Sequence, residues 1–524
     1  MNERNETTVS ASREKKVRQE LSSQELSEKQ IKAQQEAAQA KRNTVIYTVI
    51  GVVCAVAVAA LLIWNSGFFQ SRAAAVTIGG ENYSAGEVQY YYNQVLNQYY
   101  LYSQYGISTG FDYTVDPAEQ MYDAVEGITW HDQILNEAID GMAETKALVA
   151  QAKAEGVELS EEGKHEIEHA MKDLVATSAR NGFSTVNSYL KAAFGSAMNK
   201  GKYEKTLEEN QLAYEFQVAY ADKLTYTVEE KEQYYAENKN DFDLYDYNYA
   251  FFKAEKTEDV LEGEENKEAE DAAAEAAMKA AQEQAEALKT ALSSKDFGAA
   301  VAQYAEIESV TTGEDRGVSG AYLDSAYAQW MQETDRKAGD VTVMVDAGET
   351  GYFVVEYLGR GRDQEISGDV RHILVAAEQT EGATAPTDEQ YEAAKVKAEA
   401  LLEQWKSGAA TEESFAELAK AESADPGSAE NGGLYEKVSS ASGFIADFAN
   451  WATDPERKAG DTGLVKNTAS STKGWHIMYF VGQNTPVWEM EVEAAMVNKD
   501  VAEWLDGLVE AAEVTKLGAL ENVK

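Results

Sequence analysis

Val370-Arg371-His372-Ile373-Leu374-Val375, Ser423-Ala424-Asp425-Pro426-Gly427-Ser428-Ala429-Glu430-Asn431-Gly432-Gly433-Leu434 and Gly474-Trp475-His476-Ile477 are the stretches whose reading decides the fold. The first and last are short β-branched and aliphatic runs, each with a histidine inside a strand pattern. The middle one strings together Asp, Pro, Gly, Ser and Asn, residues that favour turns for separate physical reasons. Between the first two, Phe415-Ala416-Glu417-Leu418-Ala419-Lys420 has helical periodicity. The order is strand, helices, acid-bearing loop, strand.

The same order occurs once earlier. Tyr247-Asn248-Tyr249-Ala250-Phe251-Phe252 precedes the 370–375 strand at nearly constant offset. Trp330 is followed by Arg336-Lys337-Ala338-Gly339-Asp340, as Trp451 is by Arg457-Lys458-Ala459-Gly460-Asp461. Each copy closes on a glycine-bracketed strand, Gly351 to Gly359 and Gly474 to Gly482. Three matched landmarks imply an internal duplication, with units expected over 241–363 and 366–486. The stretch around 256–290, rich in Ala and Glu, reads as a longer, solvated helical insert of the first copy.

The second copy resembles the parvulin family of peptidyl-prolyl isomerases over its whole length, through the stretches quoted above together with Phe448 and Lys458-Ala459-Gly460-Asp461. The resemblance implies that His372 and His476 pair at the centre of a sheet and that Asp425 stands where the family carries Cys or Asp. It also implies that Leu434, Phe444 and Phe448 line a slot for the proline ring. The sequence departs from the family pattern at Gly433, where many members have Asp, at Phe444, where Met is common, and at Lys473 and Trp475 before the last histidine. In the first copy Tyr249 aligns with His372 and Phe353 with His476, and no Ser-x-Asp-Pro-Gly-Ser run precedes Trp330. That copy is expected to be structural or client-binding.

Further out, residues 77–240 show mostly helical periodicity, with Tyr90, Tyr91, Tyr92, Tyr99, Tyr100, Tyr102 and Tyr105 crowding the first helix. Residues 487–524 place Trp488, Val492, Val501, Trp504 and Leu508 at helical spacing, and are expected to pack back on the helical region. Thr44 to Trp64 is an uncharged apolar run long enough to span a bilayer as a helix. Nine Lys or Arg precede it, and between Arg72 and Lys146 there are none. The positive-inside rule then puts the tail 1–43 in the cytoplasm and everything after the linker 65–76 outside the cell membrane. Val53 before Cys54 is not small, and the leading tail is long for a signal peptide, so a retained single-pass anchor is expected over cleavage near Ala73-Ala74-Ala75.

The expected fold class is α+β: an N-terminal transmembrane helix, a helical chaperone domain completed by the C-terminal helix, and two tandem parvulin-like domains. That arrangement is similar to extracytoplasmic foldases of Gram-positive bacteria and their periplasmic relatives. The formal charge of −45 excludes a general nucleic-acid binder, and the single cysteine excludes a disulfide framework. His165-Glu166-Ile167-Glu168-His169 fits a zinc-helix pattern, but Lys164 and Glu168 make the helix face strongly charged and no third ligand is evident. No metal and no cofactor are expected. Two functions remain: isomerisation of X–Pro bonds in newly exported, unfolded polypeptides, or non-catalytic holding of such chains.

Overall fold

The computed structural model describes residues 72–255, 267–380 and 382–524. The tail 1–43 and the apolar run 44–64 lie outside them, and among the described residues no helix is long and apolar enough to cross a membrane.

Strands β1 (Ala74–Ile78) and β2 (Glu81–Ser84) form a hairpin through Gly79 and Gly80, both at positive φ. A two-residue turn of that kind accepts almost only Gly, Asn or Asp. Ser84 caps helix α1 (Ala85–Gln104) in a capping box with Glu87. A small hairpin, β3 (Met121–Asp123) and β4 (Ile128–Thr129), leads into α2 (Trp130–Ala154), α3 (Glu161–Arg180), α4 (Val186–Phe194), α5 (Lys200–Ala221), α6 (Val228–Glu237) and α7 (Lys239–Phe242). The tyrosine-rich α1 divides along its length. Tyr90, Tyr91 and Tyr92 are buried with Ile134, Tyr189, Phe194 and Tyr203, whereas Tyr105 at the end is 79% exposed. Three of the seven tyrosines are therefore core, and Tyr99, Tyr100 and Tyr102 are half-buried.

The first four-stranded sheet has the order β6-β5-β8-β7, with β5 (Leu244–Lys253), β6 (Val310–Ser319), β7 (Val341–Val345) and β8 (Gly351–Gly361). Helix α8 (Lys267–Leu292) covers one face, burying Ala281, Ala285 and Leu288 against Ala250, Phe252 and Val354. Over 267–290 the reading of a solvated insert is corrected at this one stripe, the rest of the helix being largely exposed, and 256–266 lie outside the described residues. An alanine stripe at helical spacing lets the helix approach the sheet closely, while its Glu and Lys residues face water. Short helices α9 (Phe297–Val301) and α10 (Ala328–Gln332) complete this unit.

The second sheet repeats the order as β10-β9-β12-β11, with β9 (Ile366–Ala376), β10 (Leu434–Val438), β11 (Thr462–Asn467) and β12 (Gly474–Pro486). Helices α11 (Asp388–Ser407) and α12 (Glu412–Glu422) cover one face, where Ile373, Val375, Leu401, Trp405, Phe415 and Ile477 pack. On the other face Val370, Met478 and Phe480 pack with α13 (Ala446–Thr453) through Phe448, Ala449 and Ala452.

Helix α14 (Val487–Ala511) leaves β12 directly and returns to the helical region. Val501 and Leu505 join Leu148, Ala152, Leu212 and Phe216, and Trp504 stacks on Tyr220 with ring centroids 3.8 Å apart. The chain then adds β13 (Thr515–Lys516) to the outer side of β1, so both ends of the described chain meet in one small sheet. The resulting class is α+β.

Candidate active site

Strand alternation sets the site. In β9, Val370 and His372 face α13, while Arg371, Ile373 and Val375 face α11 and α12. In the central pairing β9–β12, His476 lies opposite Leu374 and Met478 opposite His372. Both histidines thus sit on the α13 side, 2% and 7% exposed, with their Nδ1 atoms 2.9 Å apart. The third expected residue arrives from the loop after α12. Ala424 N–H donates to the Leu374 carbonyl at 2.8 Å, and Leu374 N–H donates to Ser423 Oγ at 3.1 Å. These two bonds dock the loop against β9 and place Asp425 Oδ2 3.0 Å from His372 Nε2.

Sequence reasoning left three members of this network without a role. Ser428, 1% exposed, donates to Asp425 Oδ2 at 2.5 Å and lies 2.9 Å from His372 Nε2. Tyr435 Oη donates to the same carboxylate oxygen at 2.9 Å. Asn467, at the end of β11, places Nδ2 3.0 Å from His476 Nε2. The Asp-x-x-Ser spacing was a legible signal for a local side-chain turn. Nothing local in the sequence marks Asn467, because only the β11–β12 hairpin brings it to His476.

The proton positions follow from the ends of this chain. Asn467 Oδ1 accepts from the Ser470 and Ala469 amides, and Nδ2 faces the Thr472 carbonyl, which fixes the amide so that Nδ2 donates to His476 Nε2. His476 then carries its proton on Nδ1 and donates to His372 Nδ1, and His372 donates from Nε2 to Asp425. Two neutral imidazoles satisfy every contact. An additional proton would set two donors against each other at one of the ring contacts.

Burial on its own pushes the Asp425 carboxyl up. The hydrogen bond from His372, then those from the hydroxyls of Ser428 and Tyr435, outweigh it and hold the group well below the usual carboxylate range. Tyr435 moves the other way, raised by burial and by the Asp425 charge beside it. Asp425 is a fixed anion. Its second oxygen, Oδ1, meets the Gly427 N–H at 3.4 Å.

Of the expected slot residues, Phe444 and Phe448 stack on each other with centroids 4.9 Å apart, and Phe448 meets both imidazoles in T-shaped contacts. Leu434 does not join them. It pairs with Arg371, and because adjacent strand residues point to opposite faces it lies on the face away from Tyr435. Tyr435, one residue on, packs against Phe444 and Phe448 and stacks on His372. Gly433 has φ 74°, and a Cβ there would collide with the His372 carbonyl oxygen. Lys473 donates to the Thr384 carbonyl and Trp475 to that of Tyr391, so both departures tie the β11–β12 loop and β12 to segments outside the slot.

Residues 372–482 match the family model described as Rotamase, PPIC-type PPIASE domain. This segment is a parvulin-type isomerase domain. The chain is 30% identical over 214 residues to the chaperone SurA of Alkalilimnicola ehrlichii, covering 40% of this chain and 45% of that protein. It therefore spans less than half of the curated relative it matches. Among solved structures, a peptidylprolyl isomerase (PrsA) from Bacillus anthracis shares 22% identity over 29% of this chain and 59% of its own, with a TM-score of 0.17. A second PrsA, from Bacillus cereus, shares 13% identity over 78% and 98%, also with a TM-score of 0.17.

Outside the parvulin domain, His165 and His169 lie one turn apart on α3, ring centroids 4.6 Å apart. Among the described residues no group of three or more His, Cys, Asp or Glu is placed to hold a metal ion.

Proposed function

We propose that the protein is a membrane-anchored, extracytoplasmic folding factor that speeds cis–trans isomerisation of X–Pro bonds in exported, unfolded polypeptides. The observation that carries this reading is the continuous chain Asn467–His476–His372–Asp425 lying directly against the stacked Phe444 and Phe448. Rotation about an X–Pro bond is slow because a barrier of about 18–20 kcal/mol opposes loss of amide resonance. No bond need be made or broken. A catalyst needs an apolar seat for the proline ring and surroundings that favour the twisted amide over the planar, dipolar one. Phe444, Phe448 and the ring of Tyr435 provide the seat. The Asp425 carboxylate, held ionised at its edge, repels the negative carbonyl end of the planar resonance form, which is the form lost on twisting. The histidines and Asn467 hold that carboxylate in place, and the first copy, with Tyr249 and Phe353 at the corresponding positions, lacks the histidine pair.

A second reading, a holdase acting without catalysis, draws on the relative named as a chaperone and on the segment after α1. There Tyr105, Tyr113, Met121, Tyr122 and Val125 are all exposed, a density of exposed apolar side chains that marks interaction surfaces. The membrane anchor and the outward orientation rest on the apolar run 44–64 and the basic residues before it.

The deciding experiment follows isomerisation of a proline peptide by the full chain and its His476→Ala variant, beside suppression of client aggregation by both. Catalysis by the parvulin domain predicts a fall in kcat/KM on the order of 10²-fold, the scale of losing one preorganised electrostatic group, with holding unchanged. Equal isomerisation rates in the two proteins would leave the holdase reading standing.

A further inference from the structure

The two four-stranded sheets have four outer strands, and three of them carry charge. β6 has Glu314, Asp315 and Arg316, β10 has Glu436 and Lys437, and β11 has Lys466. Such residues discourage a foreign strand from pairing along an edge. The fourth outer strand, β7, reads Val341-Thr342-Val343-Met344-Val345 and carries none.

Its backbone orientation can be read from its two ends. Tyr357 N–H donates to the Asp340 carbonyl at 2.9 Å and Asp346 N–H donates to the Gly351 carbonyl at 3.2 Å. Even-numbered residues therefore turn their polar groups toward β8, and Val341, Val343 and Val345 turn N–H and C=O outward. No further backbone bond among the described residues engages those three valines. Their side chains are partly accounted for. Val341 and Val343 lean on the α8 layer, while Val345 is 43% exposed. The second sheet shows the same parity, Phe480 N–H donating to the Asp461 carbonyl, which turns Thr462, Leu464 and Lys466 outward. Lys466 thus stands where the first sheet has Val345. The end after β7 is acidic, with Asp346 and Glu349, while Asp340 before it is paired with Arg336 at 3.5 Å.

We propose that β7 is a docking edge onto which an extended polypeptide segment, with three to five β-branched residues and Lys or Arg on one flank, adds as a fifth strand. Backbone pairing to the three valines supplies the attraction, and Asp346 and Glu349 beyond Val345 select a basic flank at that end. A second copy of this chain is a poor occupant, since each copy brings a formal charge of −45 and the same acidic end. The proposal concerns the sheet without the histidine pair and does not depend on isomerase activity.

The probe is a fluorescein-labelled Lys-Lys-Val-Thr-Val-Thr-Val-Lys-Lys peptide titrated into the full chain by fluorescence anisotropy, with hydrogen exchange of residues 341–345 as the site-specific readout. Binding should slow exchange there, and should weaken at least about ten-fold in Val345→Lys, which restores the guard of the second sheet. Val343→Pro should weaken it as much, because its N–H points outward and its loss breaks no bond to β8. N-methylation of alternate peptide residues should also abolish binding. Melting of both variants is followed in parallel, and Val345→Lys remains decisive if the proline variant unfolds. Absence of binding, or binding indifferent to Val345→Lys and to N-methylation, would overturn the proposal. Concentration-dependent dimerisation of the unliganded chain that Val345→Lys removes would overturn it too, by making a second copy the occupant.

Discussion

The two sheets share a frame down to single hydrogen bonds. Arg336 lies 4.0 Å over the Trp330 ring and Arg457 3.9 Å over Trp451, and each arginine Nε donates to the carbonyl of its own tryptophan. Gly339 and Gly460, at φ 90° and 92°, donate to Tyr357 and Phe480. Tyr327 meets Phe353 edge-on at 5.3 Å, as Phe448 meets His476 at 5.1 Å. The centres nevertheless differ. In the first sheet Tyr247, Tyr249, Tyr327 and Phe353 close the space with rings, whereas in the second a polar chain runs through it. The edges differ with them. β6 runs ten residues along β5, while its counterpart β10 is five residues long and leaves the preceding loop free to deliver Asp425 and Ser428. One four-stranded frame thus tolerates either filling, and the polar centre depends on the loop as much as on the histidines.

The largest expected effect separates frame from centre. Phe448→Ala and Tyr327→Ala each remove a buried ring and should each destabilise their own unit by about 3–5 kcal/mol. Isomerisation by still-folded protein should collapse in Phe448→Ala and remain intact in Tyr327→Ala. Equal loss of activity in both, with melting accounted for, would mean that the first sheet takes part in catalysis. A somewhat smaller effect is expected from Gly433→Ala. It meets both a left-handed backbone and the His372 carbonyl, and should lower stability by about 1–3 kcal/mol, visible as a lower denaturation midpoint of the second unit.

Acid should also distinguish the units. The Asp425 carboxyl lies below its unfolded value near 3.8. Its contribution to stability is therefore fully present above about pH 4 and is lost as pH falls through the lower folded value. At the centre of the first sheet the carboxylate is Asp315, opposite Tyr247 on the edge strand β6, and it meets tyrosines with no histidine beside it. Tryptophan and tyrosine fluorescence of single-unit reporters should show the second unit losing stability more steeply below pH 4, and Asp425→Asn should flatten that dependence. An unchanged acid profile in Asp425→Asn would remove the carboxylate from the account.

These comparisons also mark how far the sequence could be read. The duplication was visible because glycines, Trp–Arg spacings and strand patterns carry fixed geometry in short stretches. His372, His476 and Asp425 could be placed together only through the family resemblance, since 53 residues separate His372 from Asp425. Leu434 was misassigned by one residue, and in a strand one residue changes the face. Tyr435 holds the place expected of it. The α8 stretch was misread because alanine is weakly hydrophobic, so a stripe of it scarcely stands out from the glutamates around it, although it packs closely on a sheet. Tyr90, Tyr91 and Tyr92 belong to one tyrosine-crowded helix in sequence and are core in space, because a tyrosine ring serves either a surface or a core and tertiary packing decides.

The smallest expected effect tests the shared frame most directly. Arg336→Lys and Arg457→Lys each exchange a flat guanidinium, stacked on tryptophan and bonded to its carbonyl, for an ammonium that cannot hold both contacts at once. Cation–π contacts of this kind contribute roughly 0.5–2 kcal/mol. Each variant should therefore lower the stability of its unit by an amount in that range, and the two amounts should agree within about 0.5 kcal/mol, the tolerance expected of equivalent and distant sites. Neither should alter isomerisation, since Arg457 lies beyond α13 from the histidine pair and bonds to Trp451 and Asp454. Paired denaturation curves of the two variants and their double mutant measure this. A much larger loss at one arginine would show that the duplicated landmarks bear different loads, so that the frame has diverged along with the centre. A loss of isomerisation in Arg457→Lys alone would mean that the Trp–Arg corner of the second copy positions α13, and through Phe448 the slot itself.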